Sequence, residues 1–333
     1  MKRESLYFLG SNEAEVREEN IDEPRKNEVL VESIVSSVSA GTEMHFYHGE
    51  LEEGIMIDGS IEKFKKGLEY PLKYGYSNMG RVITVGEDVS DEWLGEIVLS
   101  FHPHETHHIH QVDELIKKPD GIGVERFSFL PCIETAVNFM MDGKGMIGER
   151  VLVSGQGVIG LLTTRLLKML PLEKLVTLDN LENRRKWSKK LGADVSLSGK
   201  LEFEDILKKS RVEDFDLVFE VSGNIKGLEK AVDLAGFGGR IIVGSWYSGK
   251  KGVKLGTYFH RNRIKMISSQ VSSISGRFLD RWDKDRRLKT SLKMLDEVEP
   301  EKLISHKINF KDAPKAYETI DGDEENLQIL LEY

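Results

Sequence analysis

The sequence predicts a two-part α/β protein: a β-rich front and a doubly wound parallel sheet. Three observations carry the expectation. In the front part, short β-rich runs are separated by turn residues: Val29, Val31, Ile34 and Val35, then 80–86, then Ile97–Phe101. From Phe127 onward, apolar strands alternate with helical patterns, the order that builds a parallel sheet with right-handed crossovers. And 333 residues exceed the usual size of one domain.

In chain order, Gly49 to Gly67 reads as a charged loop carrying glycine at 49, 54, 59 and 67. Cys132–Met141 is helical in pattern, Val151–Ser154 is a buried strand, and Val158–Met169 is a helix. A strand at Leu175–Leu178 and a helix at Arg184–Leu191 follow. Strands at Asp216–Val221 and Arg240–Gly244 flank a helix at Ile225–Ala235. After Ser269 the chain is more polar, with a helix near Leu288–Glu297 and a last strand at Leu327–Glu332.

Composition narrows the function classes. Hydrophobic residues make up 39% and charged residues 31%, as in a globular protein with a core. The net charge of −9 argues against a nucleic-acid partner, and basic pairs such as Arg184–Arg185 and Arg286–Arg287 sit among acids. No run approaches the ~20 apolar residues of a membrane span, so no membrane partner is expected. The first residues lack the apolar stretch of a secretion signal, and a single cysteine, Cys132, cannot form an internal disulfide. Both point to the cytoplasm.

Gly155-Gln-Gly157-Val158-Ile159-Gly160 is a G-x-G-x-x-G between an apolar strand and an apolar helix. Gly155 serves the tight turn, Gly157 the approach of backbone to a pyrophosphate, and Gly160 close helix–strand packing, a Rossmann pattern. Val158 and Ile159 open the helix whose N-terminus favours an anion. Asp179 closes the next strand, 19 residues after Gly160. A carboxylate there accepts ribose hydroxyls and opposes a 2′-phosphate, so NAD is expected over NADP, with Arg184 and Arg185 as the counter-indication. Contacts on the nicotinamide side are expected from Ser222, Gly223, Gly244 and Ser245.

With these elements in place, the chain resembles the medium-chain dehydrogenase/reductase superfamily, the zinc-type alcohol dehydrogenase-like proteins, over nearly its full length. The markers are Ala40-Gly-Thr-Glu-Met-His45, Tyr74-Gly-Tyr-Ser-Asn-Met-Gly-Arg81, Gly148-Glu-Arg-Val-Leu-Val-Ser-Gly155, Leu191-Gly-Ala-Asp194 and Gly238-Gly-Arg-Ile-Ile-Val-Gly244. The nearest branch is the bacteriochlorophyllide-dehydrogenase-like group. The resemblance implies a GroES-like catalytic domain over 1–127, completed by 269–333, and a Rossmann dinucleotide-binding domain over 128–268. It also implies a small-molecule substrate and a homodimer paired through Arg263–Val271.

Departures from the family pattern matter as much. Zinc-dependent members carry a cysteine where this chain has Ala40, and a Gly-His-Glu where it has Gly75-Tyr76-Ser77. Glu134 falls near the third ligand, and the four-cysteine lobe is missing. No zinc is therefore expected. Without a Lewis acid, hydrogen-bond donors must serve the substrate oxygen. Thr42 matches the family's relay hydroxyl, Tyr76 stands at a ligand position, and His45, three residues after Thr42, could extend a relay to solvent. His102, His104, His107, His108 and His110 form a dense run. On an extended strand His102, His104 and His108 or His110 would share a face, inviting a metal. Lining the substrate cleft, with His104 foremost, is the favoured alternative. The expected activity is NAD(H)-dependent interconversion of alcohol and carbonyl. Reduction of an activated C=C bond with NADPH and cofactor binding without turnover are the alternatives.

Overall fold

A computed structural model of the chain describes all residues except 58, 60–63, 249–251 and 257. The front opens with an antiparallel hairpin, β1 (Lys2–Gly10) on β2 (Glu13–Asn20), that buries Leu6 and Phe8. β3 (Glu28–Ser37) follows, then a helix, α1 (Ala40–His48). No helix was expected over Ala40–His48 from the sequence. Its apolar residues Met44, Phe46 and Tyr47 bury against neighbours, and Gly49 closes the helix at φ +67. The charged 49–67 segment lies partly outside the described residues; within them, Met56 bridges to Gly67. β4 (Asn78–Val85), β5 (Ile97–Ser100), β6 (His107–Gln111) and β7 (Ile116–Lys117) complete the strands of this stretch, and α2 (Val124–Phe127) ends it.

The second unit begins with α3 (Leu130–Gly143) and continues through β8 (Arg150–Ser154), α4 (Val158–Leu167), β9 (Lys174–Leu178), α5 (Glu182–Leu191), β10 (Val195–Leu197) and α6 (Phe203–Ser210). Then come β11 (Phe215–Glu220), α7 (Ile225–Leu234), β12 (Ala235–Val243), α8 (Tyr258–Arg261), β13 (Lys265–Ser268) and α9 (Lys284–Val298). All six strands pair in parallel in the order β10-β9-β8-β11-β12-β13. Renumbered from β8, that is the 3-2-1-4-5-6 order of a Rossmann sheet. Alternate residues feed two cores. Leu152, Val218 and Ile241 face one, with Leu228 and Val232 of α7. Val151, Val153, Leu217, Phe219 and Ile242 face the other, with Phe139 of α3 and Leu167 of α4. Burial on both faces explains why these strands read as unbroken apolar runs.

The chain returns to the front with β14 (Ile304–Asn309), α10 (Pro314–Gly322) and β15 (Gln328–Glu332). The front sheet then runs β14-β15-β3-β4-β5-β7, with β6 also paired to β3. The compact units are Met1–Phe129 with Glu299–Tyr333, and Leu130–Val298. The expected assignment of 269–298 to the front is thereby corrected. The reason is a buried ion pair. Arg287 of α9, 2% exposed, donates to Glu134 and Asn138 of α3 (3.0 and 2.7 Å) and to the carbonyls of Val271 and Ser273. Burial pushes the Glu134 carboxyl up even with Arg287 beside it.

Arg287→Met removes that partner and leaves Glu134 buried, so the second unit should lose about 3–5 kcal/mol. Glu134 then takes up a proton on folding, so the deficit should be larger at pH 8 than at pH 5. Urea unfolding at both values checks this; equal deficits would show that Glu134 is not the group left stranded.

Candidate functional site

In the parallel-sheet unit, β8 ends at Ser154 and the chain turns sharply at Gly155, φ +95, where a Cβ would lie 2.6 Å from the Ser222 backbone. A Cβ at Gly160 would sit 2.0 Å from the Gly155 carbonyl oxygen, so only hydrogen fits between helix and turn. Gly157, the N-cap of α4, has open space where its side chain would be. The N–H groups of Val158, Ile159 and Gly160, in the first helical turn, lack intrahelical acceptors and carry the positive end of the helix dipole. Gly155 and Gly160 are thus sterically confined to glycine, and Gly157 leaves the backbone open beside a helix N-terminus, a setting that suits an anion.

Asp179 follows β9 directly. Its carboxylate accepts from the Gln156 N–H (2.7 Å) and the Leu181 N–H (2.8 Å), fixing it beside the glycine turn. Arg185 is committed to the carbonyls of Asp179 and Asn180 (2.9 and 2.8 Å). Arg184 Nε is buried without a hydrogen-bond partner among the described residues.

Ser222, Gly223 and Ser245 do converge, but around a carboxylate that the sequence reading missed. Glu220, fully buried at the end of β11, accepts from the Ser222 N–H (3.0 Å), the Ser222 hydroxyl, the Ser245 hydroxyl (2.8 Å) and the Tyr247 phenol. Gly223 N–H donates to Ser245 Oγ at 2.9 Å. The hydroxyls of Ser222 and Ser245 are therefore occupied in shaping the strand ends. Gly244 is small for packing, since a Cβ there would lie 2.1 Å from the Phe139 ring. His260 lies on α8 in this unit.

The front unit holds the other candidates. Thr42, half-buried, occupies the first turn of α1, where its amide donates to the Ser39 carbonyl (3.0 Å). Tyr76, also half-buried, pairs its phenol with the Ser39 hydroxyl. Both thus meet at Ser39, a residue not foreseen. His45 Nδ1 lies 2.8 Å from the Glu50 carboxylate.

His104 is 0% exposed and lines no cleft, contrary to expectation. Its Nε2 lies 3.1 Å from Glu43 Oε2 and its Nδ1 2.7 Å from Ser36 Oγ, which in turn meets the Tyr333 phenol at 2.9 Å. Glu43, 0% exposed, also accepts from the Ser39 N–H (2.8 Å) and the Tyr317 phenol (2.7 Å). Burial, reinforced by the Glu43 charge, holds the Tyr317 phenol well above its ordinary range, and burial does the same at Tyr333. Glu43 stands inside the quoted Ala40–His45 marker. Tyr317 and Tyr333, nearly 300 residues away in sequence, gave no local signal.

The donors at the position of the family zinc do not fit that ion. Ala40 offers a methyl group. The Tyr76 phenol is engaged by Ser39, and the Glu43 carboxylate already accepts several hydrogen bonds.

Residues 158–284 match the family model described as zinc-binding dehydrogenase. Among curated relatives, the D-guloside 3-dehydrogenase of Escherichia coli (strain K12) is 26% identical over 262 residues, covering 76% of this chain and 75% of the relative. An alcohol dehydrogenase of E. coli CFT073 in complex with NADH superposes with a TM-score of 0.80 at 19% identity, covering 100% and 99%. A candidate zinc-binding dehydrogenase of Sinorhizobium meliloti 1021 bound to NADP gives 0.79 at 16%, covering 100% of both chains. The β-rich unit and the parallel-sheet unit are the GroES-like and Rossmann parts of this architecture.

Because the folded phenols of Tyr247, Tyr317 and Tyr333 titrate above their ordinary value of 10.0, the stability they contribute is complete below pH 10. It should be lost as pH rises through the higher folded values. A tyrosinate absorbance titration followed together with circular dichroism should show at least these three of the nine tyrosines ionising only as the chain unfolds. Full tyrosinate absorbance in a folded protein would contradict it.

Proposed function

The chain belongs to the medium-chain dehydrogenase/reductase superfamily, and from that premise we propose a zinc-independent, NAD(H)-linked oxidoreductase that interconverts an alcohol and a carbonyl on a small organic substrate. The observation that carries the cofactor assignment is Asp179. Its carboxylate is fixed by two backbone N–H groups beside an open glycine cradle, where it suits two ribose hydroxyls and repels a 2′-phosphate. Gly157, Val158, Ile159 and Gly160 would hold the pyrophosphate. When bound, the nicotinamide gives hydride to the substrate carbon or takes it away.

Tyr76 is the proton donor of this reading. A phenol paired with the Ser39 hydroxyl can pass a proton toward a carbonyl oxygen and recover one from Ser39. Thr42, on the same turn of backbone, offers a second hydroxyl. His104 and Glu43 are positioning residues. Glu43 grips the Ser39 amide, and His104 locks Glu43. No step passes through zinc. Support for an alcohol substrate comes from D-guloside 3-dehydrogenase, whose name describes oxidation at a sugar carbon.

Arg184 supports a second reading, in which the cofactor is NADP and the reaction enone reduction. Its buried Nε, without a hydrogen-bond partner among the described residues, could serve a phosphate. A homodimer in the cytoplasm, paired through the sheet-edge strand β13, accompanies the main proposal. No described helix is long and apolar enough to cross a membrane.

The decisive experiment measures binding and turnover of NADH and NADPH against a panel of polyols, ketones and enones. NADH should bind more tightly, and Asp179→Ala should weaken NADH by roughly 10–100-fold, as loss of hydrogen bonds to a charged group does. NADPH preference in the wild type, with enone turnover, would favour the second reading. Tyr76→Phe should lower kcat about 100-fold with NADH affinity intact, the scale of a lost general acid. Chelator-stripped protein should keep its kcat, and an activity that vanishes with zinc and returns with it would sink the metal-free mechanism.

A further inference from the structure

The histidine run divides in the fold. His104 leaves for Glu43, whereas His102, His108 and His110 gather on the other side of the connection, all buried. His108 and His110 stand two apart on β6 and share one face, opposite Val31 and Val29 of β3 in the front-unit core. The His102 and His108 rings stack at 4.4 Å, and His110 meets them edge-on at 4.9 and 5.0 Å. One ring nitrogen from each falls within 4.8 Å of the other two.

Tautomer bookkeeping makes this cluster more than a packed aromatic group. His102 Nε2 lies 2.8 Å from Glu105 Oε2, and Glu105, 1% exposed, is ion-paired with Arg3 and Lys73 (2.9 and 2.6 Å). His110 Nδ1 lies 2.9 Å from Glu114 Oε2. Ionised carboxylates only accept, so each imidazole must present its N–H outward. The inward nitrogens, His102 Nδ1 and His110 Nε2, then face each other at 3.1 Å with a lone pair on each. Two neutral rings repel in that arrangement, and a cation between them relieves it. A proton would serve two rings, but the third imidazole at the same point favours an ion that takes three ligands.

We propose that His102, His108 and His110 form a binding site for a divalent transition-metal ion, separate from the position of the family zinc. Tetrahedral coordination at 2.0–2.1 Å separates ligand nitrogens by about 3.4 Å, close to the spacing already present between His102 and His110. Imidazole-only ligation suits zinc, nickel or cobalt(II) rather than magnesium or calcium. Glu105 and Glu114 are the outer carboxylates that orient ligating histidines and fix their tautomers. The ion would tie the segment after β5 to β6, giving the site a structural role.

The test uses full-length protein stripped with chelator and titrated with cobalt(II) and zinc. One equivalent should bind, with the visible absorption of cobalt in a nitrogen-ligand site, and zinc should raise Tm. His108→Gln and His110→Gln should each lower affinity at least 100-fold, and Glu114→Gln, at a partly exposed residue whose loss leaves the fold intact, by 10–100-fold. Failure of the stripped wild type to bind either ion tighter than about 100 μM would overturn the site and leave a shared proton as the cation. One equivalent that survives all three substitutions would overturn it too, by placing the ion elsewhere.

Discussion

Burying a carboxylate costs several kcal/mol unless donors surround it, and both units are organised by that constraint. Glu43, Glu105 and Glu220 are at most 1% exposed, and Glu134 is 9% exposed. Each joins segments that sequence alone would not associate. Glu43 connects α1 to His104 and to Tyr317 of α10. Glu105 gathers Arg3 of β1, Lys73 and His102. Glu220 pulls the loop after β12 onto the end of β11, and Glu134 fastens α9 to α3. Since a stranded carboxylate is so costly, these connections are strongly specified.

The same constraint explains what becomes of the chemistry. Relatives with zinc spend a cysteine, a histidine and an acid at the positions of Ala40, Tyr76 and Ser77. Here the neighbouring Glu43 carboxylate is surrounded by an amide, a phenol and an imidazole. The Tyr76 phenol pairs with the Ser39 hydroxyl beside it. His104 is the clearest casualty for the sequence reading, because serving Glu43 withdraws it from solvent entirely.

Much of the parallel-sheet unit was legible in the sequence. The strands at Val151–Ser154 and Leu175–Leu178, the helix after Gly157 and the glycine roles follow from local pattern and hard-sphere sterics. Those forces act over a few residues, so they leave a local signature. The α1 helix left no clear sequence signal, because its apolar residues are buried by tertiary neighbours rather than arranged in an evident stripe. The 269–298 boundary was misplaced because polarity suggested a tail, whereas Arg287 is polar and buried together.

By itself the sequence determined the Rossmann pattern and the acidic residue that follows its second strand, both encoded at fixed spacing. Only the tertiary structure decided which polar residues serve which partner. It sent His104 to Glu43 and brought His102, His108 and His110 together, assigned Ser222 and Ser245 to Glu220, and closed the Glu43 network with tyrosines from the far end of the chain. The physical reason is that a buried charge is matched in space, by whatever donor the fold delivers, and distance along the chain carries no record of that delivery.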